Sequence, residues 1–208
     1  MRRTSLTERI IIILFLGGFY FFLAWTCAEG ADVPSPLAEI KDTVEELKKI
    51  VSDPSLQGDA KRIERQNKIR ELLLNRMDME DMCKRSLGRH WRTRTDAERI
   101  EYVKACSQYV EALHGKMVFE TVEFVESVGI RYLKERLDAE FAEVDVVVES
   151  SPEDTKVTFK LHLVGGHWKA YDVVVANISL VQNLRSQFDT IIRKNSFEKL
   201  LEELRKRS

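Results

Sequence analysis

The sequence predicts an α+β fold, with helices first, an antiparallel sheet of four strands next, and helices again at the end. Three observations predict it. Apolar residues recur at helical spacing from Leu37 to Met117. From about Val128 to Val175 the pattern changes to period two. Trp168–Phe188 then joins the two periods in one run: Tyr171, Val173 and Val175 alternate, and Leu180, Leu184 and Phe188 fall a helical turn apart. A strand that feeds an amphipathic helix places a sheet face and a helix stripe around one apolar space. No catalytic constellation accompanies it, which points to a carrier rather than an enzyme.

The first elements form a targeting segment and a linker. Arg2, Arg3 and Arg9 make a basic start, and Ile10–Trp25 is almost continuously apolar and uncharged. Ala28, Gly30 and Ala31 supply small residues for cleavage after Ala28 or Gly30. The apolar run of about 16 residues is short of the roughly 20 that span a bilayer. Residues 1–30 therefore read as a secretory signal peptide rather than an anchor, and 31–208 as a single domain. Cys27 follows Ala24-Trp25-Thr26, a poor lipobox. Asp32–Pro36 is a linker.

Leu37, Ile40, Val44, Leu47 and Val51 give an amphipathic helix stopped at Ser52-Asp53-Pro54. Gly58-Asp59 opens a second, from Ala60 to about Asn75, with Ile63, Ile69, Leu72 and Leu73 on its apolar side. Met77, Met79, Met82 and Leu87 form a third, ended by Gly88. Arg89–Arg92 connects to a long helix that Thr95 caps with Glu98 three residues on. Ile100, Val103, Val110, Leu113 and Met117 share one face of it, and Gly115 is a point of bending.

Four alternating stretches follow: Ile130-Tyr132, Val144-Val146-Val148, Val157–Leu163 and Tyr171-Val173-Val175. Ser150–Thr155 and Val164–His167 are the turns between them, the second carrying Gly165-Gly166. Short turns between consecutive strands imply an antiparallel meander. Ile178–Lys194 is helical, and Phe197, Leu200, Leu201 and Leu204 make a last amphipathic helix.

Composition narrows the function. Among 208 residues, 33 are basic and 34 acidic, so bulk electrostatic binding of nucleic acid is excluded. His90, His114, His162 and His167 show no metal-ligand spacing, and no phosphate-binding glycine loop or nucleophile elbow is present. No metal site and no cofactor are expected. Asp172 is unusual as a carboxylate within a strand. It reads as a partner for an arginine or a helix terminus, or as a general base. Cys83 and Cys106 remain once the leader is removed, either as a disulfide between two packed helices or as two buried thiols. Arg89, Arg92 and Arg94, with His90 and Trp91 among them, read as a contact for a head group or an acidic partner, or as a solvated loop around a pinned tryptophan.

Three stretches carry a family resemblance. Leu87-Gly88-Arg89-His90-Trp91 fits an LGxxW element, and Thr95-Asp96-Ala97-Glu98-Arg99 fits a characteristic helix start. Trp168-Lys169-Ala170-Tyr171-Asp172-Val173, with Ser179-Leu180-Val181 and Asn183–Phe188, fits the longest motif. On these residues the chain resembles the MlaC family of periplasmic phospholipid-binding proteins of the Mla intermembrane transport system, also called the toluene-tolerance auxiliary family. Leu184 stands where the family usually has an aromatic, and Ala176-Asn177 where it has an acidic-Gly pair.

The resemblance implies a twisted sheet wrapped by amphipathic helices, with phospholipid tails in a pocket between them. It implies a soluble periplasmic shuttle that hydrolyses nothing. Its partners would be an outer-membrane lipoprotein complex and the MCE-domain subunit of an inner-membrane ABC transporter. A monomer is expected. On this reading Tyr132, Val146, Val148, Phe159, Leu161, Leu163, Tyr171 and Val173 line the pocket floor. Tyr109, Leu113, Met117 and Phe188 are its walls. Two other readings stay open: a small exported enzyme using Asp172 or His167 as base, and an adaptor anchored by the amino-terminal segment.

Overall fold

The structure, a computed structural model, describes residues 33–149 and 153–207, and over 114–127 the backbone alone. The expected leader, the residues 150–152 of one expected turn, and the side chains of His114 and Met117 lie outside the described residues.

Helix α1 (Pro36–Ser52) starts where Ser35 accepts a hydrogen bond from the Ala38 amide and Pro36 supplies a preset φ. Single 3₁₀ turns at Pro54–Leu56 and Asp59–Lys61 lead to α2 (Arg62–Asn75). Helix α3 (Met79–Leu87) is capped by Asp78, which accepts from the Asp81 amide, and it ends at Gly88 with φ +57°. The expected connector is a 3₁₀ helix, Gly88–Thr93. Helix α4 (Asp96–Ser127) begins with the predicted capping box of Thr95 and Glu98 and runs unbroken through Gly115.

The sheet has five strands rather than four, in the order β1 (Gly129–Asp138), β2 (Phe141–Glu149), β3 (Thr155–Val164), β4 (His167–Val175) and β5 (Ile178–Ser179). All neighbours are antiparallel. Gly165 and Gly166, at φ +60° and +84°, make the tight turn their sequence predicts. The fifth strand takes two residues from the start of the expected helix. Ala176 and Asn177, at φ +48° and +67°, turn the chain back on β4 before α5 (Leu180–Lys194) begins. Strand β1 outruns its short alternating signal because a bulge between Tyr132 and Lys134 breaks the period. Met77 lies outside α3 and forms a parallel bridge with Ala170 instead. Helix α6 (Phe197–Lys206) closes the chain.

Two apolar clusters dominate. Helices α3 to α6 enclose Met82, Leu87, Tyr102, Val110, Leu184 and Leu200. The second cluster lies on one face of the sheet. A smaller contact of Val51 with Ile69 joins α1 to α2.

Candidate functional site

Directly paired strand residues point to the same side of a sheet, so the register sorts the side chains. One side gathers Val144 with Phe159 and Val173, Ala142 with Leu161 and Ala170, and Val146 with Val157 and Tyr132. Ile130 and Val148 continue it. These are apolar apart from the Tyr132 hydroxyl, and Glu135, paired with Val144, and Thr155, paired with Val148, stand at the margins of the same side. The centre of this face is buried: Val144 is 0% exposed and Leu161 1%. Its margins are only half covered, at Ile130, Tyr132, Val148, Phe159, Leu163 and Val173. At the far end Val175 is 41% exposed.

Helix α1 crosses this face and packs Leu37 and Ile40 onto it. Polar clips fix its amino end to β1 and to β4. The Leu37 amide donates to Glu135 of β1 at 2.8 Å. The Trp168 indole of β4 donates to the Pro34 carbonyl at 2.9 Å. Glu39, itself buried, accepts from the Trp168 amide and lies 3.0 Å from His167 Nδ1. This cover was not legible in the sequence. Glu39 sits between Leu37 and Ile40 and reads as an ordinary polar-face residue, with nothing local to pair it with Trp168.

The other side of the sheet is charged. Arg136 reaches Glu143 and Asp145, Lys156 lies 3.3 Å from Asp145, and Thr158 donates to Asp145 at 2.6 Å. Burial would raise the Asp145 carboxyl, but the hydrogen bonds from Arg136, Thr158 and Lys156 outweigh it and hold the group well below the usual carboxylate range.

Of the expected lining residues, the structure brings Tyr132, Val146, Val148, Phe159, Leu161, Leu163 and Val173 together on the apolar face. Tyr171 is not among them. A bulge between Lys160 and Leu161 adds one residue to β4, which inverts the parity that alternation assumes. The Tyr171 ring instead packs on His162 and Phe141, with centroids 5.6 and 6.1 Å away, beneath the Arg85 guanidinium at 4.0 Å. Tyr109 and Phe188 pack on each other in the helical cluster rather than on the sheet. Leu113 is 40% exposed on α4.

The remaining candidates are tied into the scaffold. Asp172 is buried and accepts from Ser179 Oγ at 2.6 Å and from the Val181 amide at 3.0 Å, so both its oxygens hold the start of α5. Arg89 donates to Asp189 at 2.7 Å, and Arg94 pairs with Glu98 and lies 4.7 Å over the Phe197 ring. Arg92 is exposed, and Trp91 packs against the helical core. Cys83 and Cys106 are buried and unbonded, and the neighbouring Cys106 thiol, with burial, pushes the Cys83 thiol up. An open cleft of about 450 Å³ between α2 and α4 is lined by Arg70, Gln108, Glu111 and Ala112 and contains none of the expected residues. Among the described residues no group of three His, Cys, Asp or Glu gathers as metal ligands, and no helix is long and apolar enough to cross a membrane.

Comparison with known proteins adds three findings. The family model described as MlaC protein matches residues 41–206. Comparison with curated proteins finds no match. Among solved structures, the chain resembles a phospholipid-binding protein from Ralstonia solanacearum determined in complex with a phospholipid. The TM-score is 0.66 at 20% identity, over 82% of this chain and 95% of that one. At that identity the likeness is one of fold.

Proposed function

The chain belongs to the MlaC family, and from that premise we propose that it is an exported phospholipid carrier. Residues 1–30 direct it to the periplasm and are removed, and 31–208 form one carrier domain that acts as a monomer. It takes phospholipid between an outer-membrane lipoprotein complex and the MCE-domain subunit of an inner-membrane ABC transporter, and performs no chemistry on its cargo.

One observation carries the reading: the sheet has a broad apolar face whose margins are only half covered, while the opposite face of β1 to β3 carries ion pairs. Exposing an acyl chain costs about 0.8 kcal/mol per methylene, so a soluble carrier must offer apolar surface to match. Phe159, Val173, Val148 and Ile130 offer it on a rigid sheet, with Leu37 and Ile40 of α1 as its roof. The Ralstonia neighbour with its bound phospholipid supports the same use of the fold. Asp172 does not favour a hydrolytic reading, because both its oxygens are already committed to α5.

The test uses vesicles containing a fluorescent phospholipid, mixed with the purified mature chain and then removed by flotation. Label should remain with the protein and saturate near one lipid per chain. Protein that stays unlabelled under all vesicle compositions would overturn the proposal.

A further inference from the structure

The two buried thiols fall outside the lipid-binding account and carry an inference of their own. Cys83 on α3 and Cys106 on α4 are each 0% exposed and belong to the same buried cluster of the helical core. Polar groups ring the pair. Ser107 Oγ lies 3.7 Å from the Cys83 sulfur, and Ser86 Oγ lies 3.8 Å from the Cys106 sulfur. Ser86 also donates to the Cys83 carbonyl at 2.7 Å and meets the Tyr102 hydroxyl at 2.7 Å. Tyr102 itself donates to the Cys83 carbonyl at 3.1 Å.

We propose that Cys83 and Cys106 are joined by a disulfide in the exported protein, stapling α3 to α4. The proposal rests on export, because thiols persist in reducing compartments and pair in oxidising ones. With the leader removed these are the two cysteines left in the chain. Ser86, one turn after Cys83, reaches the Cys106 sulfur, and Tyr102, one turn before Cys106, reaches the Cys83 carbonyl, so α3 and α4 pack closely at this pair, as a bridge between them requires. Bond formation also leaves no buried polar group without a partner, since Ser86 and Tyr102 keep each other and the Cys83 carbonyl.

The chemistry is a thiol–disulfide exchange. One S–S bond forms between Cys83 and Cys106 as the S–S bond of an oxidoreductase in the exporting compartment breaks, and the two protons lost by the S–H groups are matched by the two that the oxidoreductase's thiolates take up. The two electrons reduce that enzyme's disulfide to its dithiol. Because both sulfurs are sealed in the folded protein, the exchange takes place before α3 and α4 close on each other. The staple then fixes α4, which leads directly into β1, against the helix that Asp78 ties to β4 through the Ala170 carbonyl.

The full-length chain, expressed with its leader, is recovered from the exported compartment, acid-quenched, denatured and alkylated with and without prior reduction. Its amino terminus and its Cys83–Cys106 peptides are then mapped by mass spectrometry. The expected result is a processed amino terminus, no alkylation of either cysteine without reductant, alkylation of both after it, and one linked peptide. Reduction should also lower the thermal midpoint by roughly 5–10 °C, and a Cys83→Ala/Cys106→Ala chain should show no response to reductant. A processed chain whose two thiols alkylate freely overturns the disulfide and leaves the carrier reading standing. An unprocessed chain retained in the cytosol with both thiols free overturns the disulfide and the export reading together. Pairing of either cysteine with another molecule also contradicts the proposal.

Discussion

Gly88 shows what the motif residues do. It adopts φ +57°, and a Cβ built on it would stand 3.1 Å from Cδ of Arg185, whose stem crosses the glycine while its Nε donates to the Arg85 carbonyl at 2.9 Å. Arg89 and His90, from the same motif, both bond Asp189, one residue beyond Phe188. The first motif therefore clasps the third, and the second caps the helix beside them. Gly88→Ala should cost about 1–3 kcal/mol, from left-handed strain and the clash together, measured as a lower urea midpoint at unchanged slope. Asp145 sets a pH dependence. Its folded-state pKa is depressed below the unfolded value of about 3.9, so its contribution is full above that pH and is lost as pH falls through the folded value. Asp145→Asn should lower stability at neutral pH and flatten the acid limb of the stability profile below about pH 4. A variant with the wild-type acid limb would show that Arg136 and Asp145 do not act as described.

Elements were legible where one period ran long, and misread where a single residue broke it. The stripe of α1, the Thr95 capping box and the Gly165-Gly166 turn all follow from local chemistry that neighbours cannot easily override, whereas on α4 the core takes Tyr102, Cys106 and Tyr109 and leaves Ile100 of the expected stripe 73% exposed. The bulges in β1 and β4 have no such signature, so alternation assigned Tyr171 to the wrong side and missed half of β1. The two-residue β5 is too short to carry a period and depends on the Ala176-Asn177 turn. The same bulge makes a sharp test of which sheet face holds cargo. Val173→Asp should lower vesicle-derived lipid uptake more than tenfold, because an acyl chain would meet a charge. Tyr171→Ser, two residues away on the opposite side, should leave uptake within about twofold while costing some stability. Circular dichroism on both chains confirms that each is folded. Equal loss of uptake in the two variants would contradict the assignment of faces.

At the scale of the molecule, the protein separates stability from its proposed task. The helical cluster of α3 to α6 is closed, with Tyr102, Leu200 and Met82 fully buried, and the family motifs mostly serve it. The apolar sheet face is half covered at its margins and, among the described residues, shares only Met77 with that cluster. The fold class and this division into helices and sheet could be read from periodicity. The lining set could be read only in part, because Tyr109 and Phe188 have the same apolar character whether they face a ligand or each other. The cover supplied by α1 depends on contacts between residues more than 90 positions apart, beyond any local pattern. The central claim is that the half-covered face holds a phospholipid. Native mass spectrometry of the mature protein, isolated from its own exported compartment without detergent, tests it most directly. The account predicts a resolved adduct of phospholipid mass on most of the chains, released on organic extraction and identified as glycerophospholipid. Protein that is recovered as the bare polypeptide mass, and that yields no phospholipid on extraction, would contradict it.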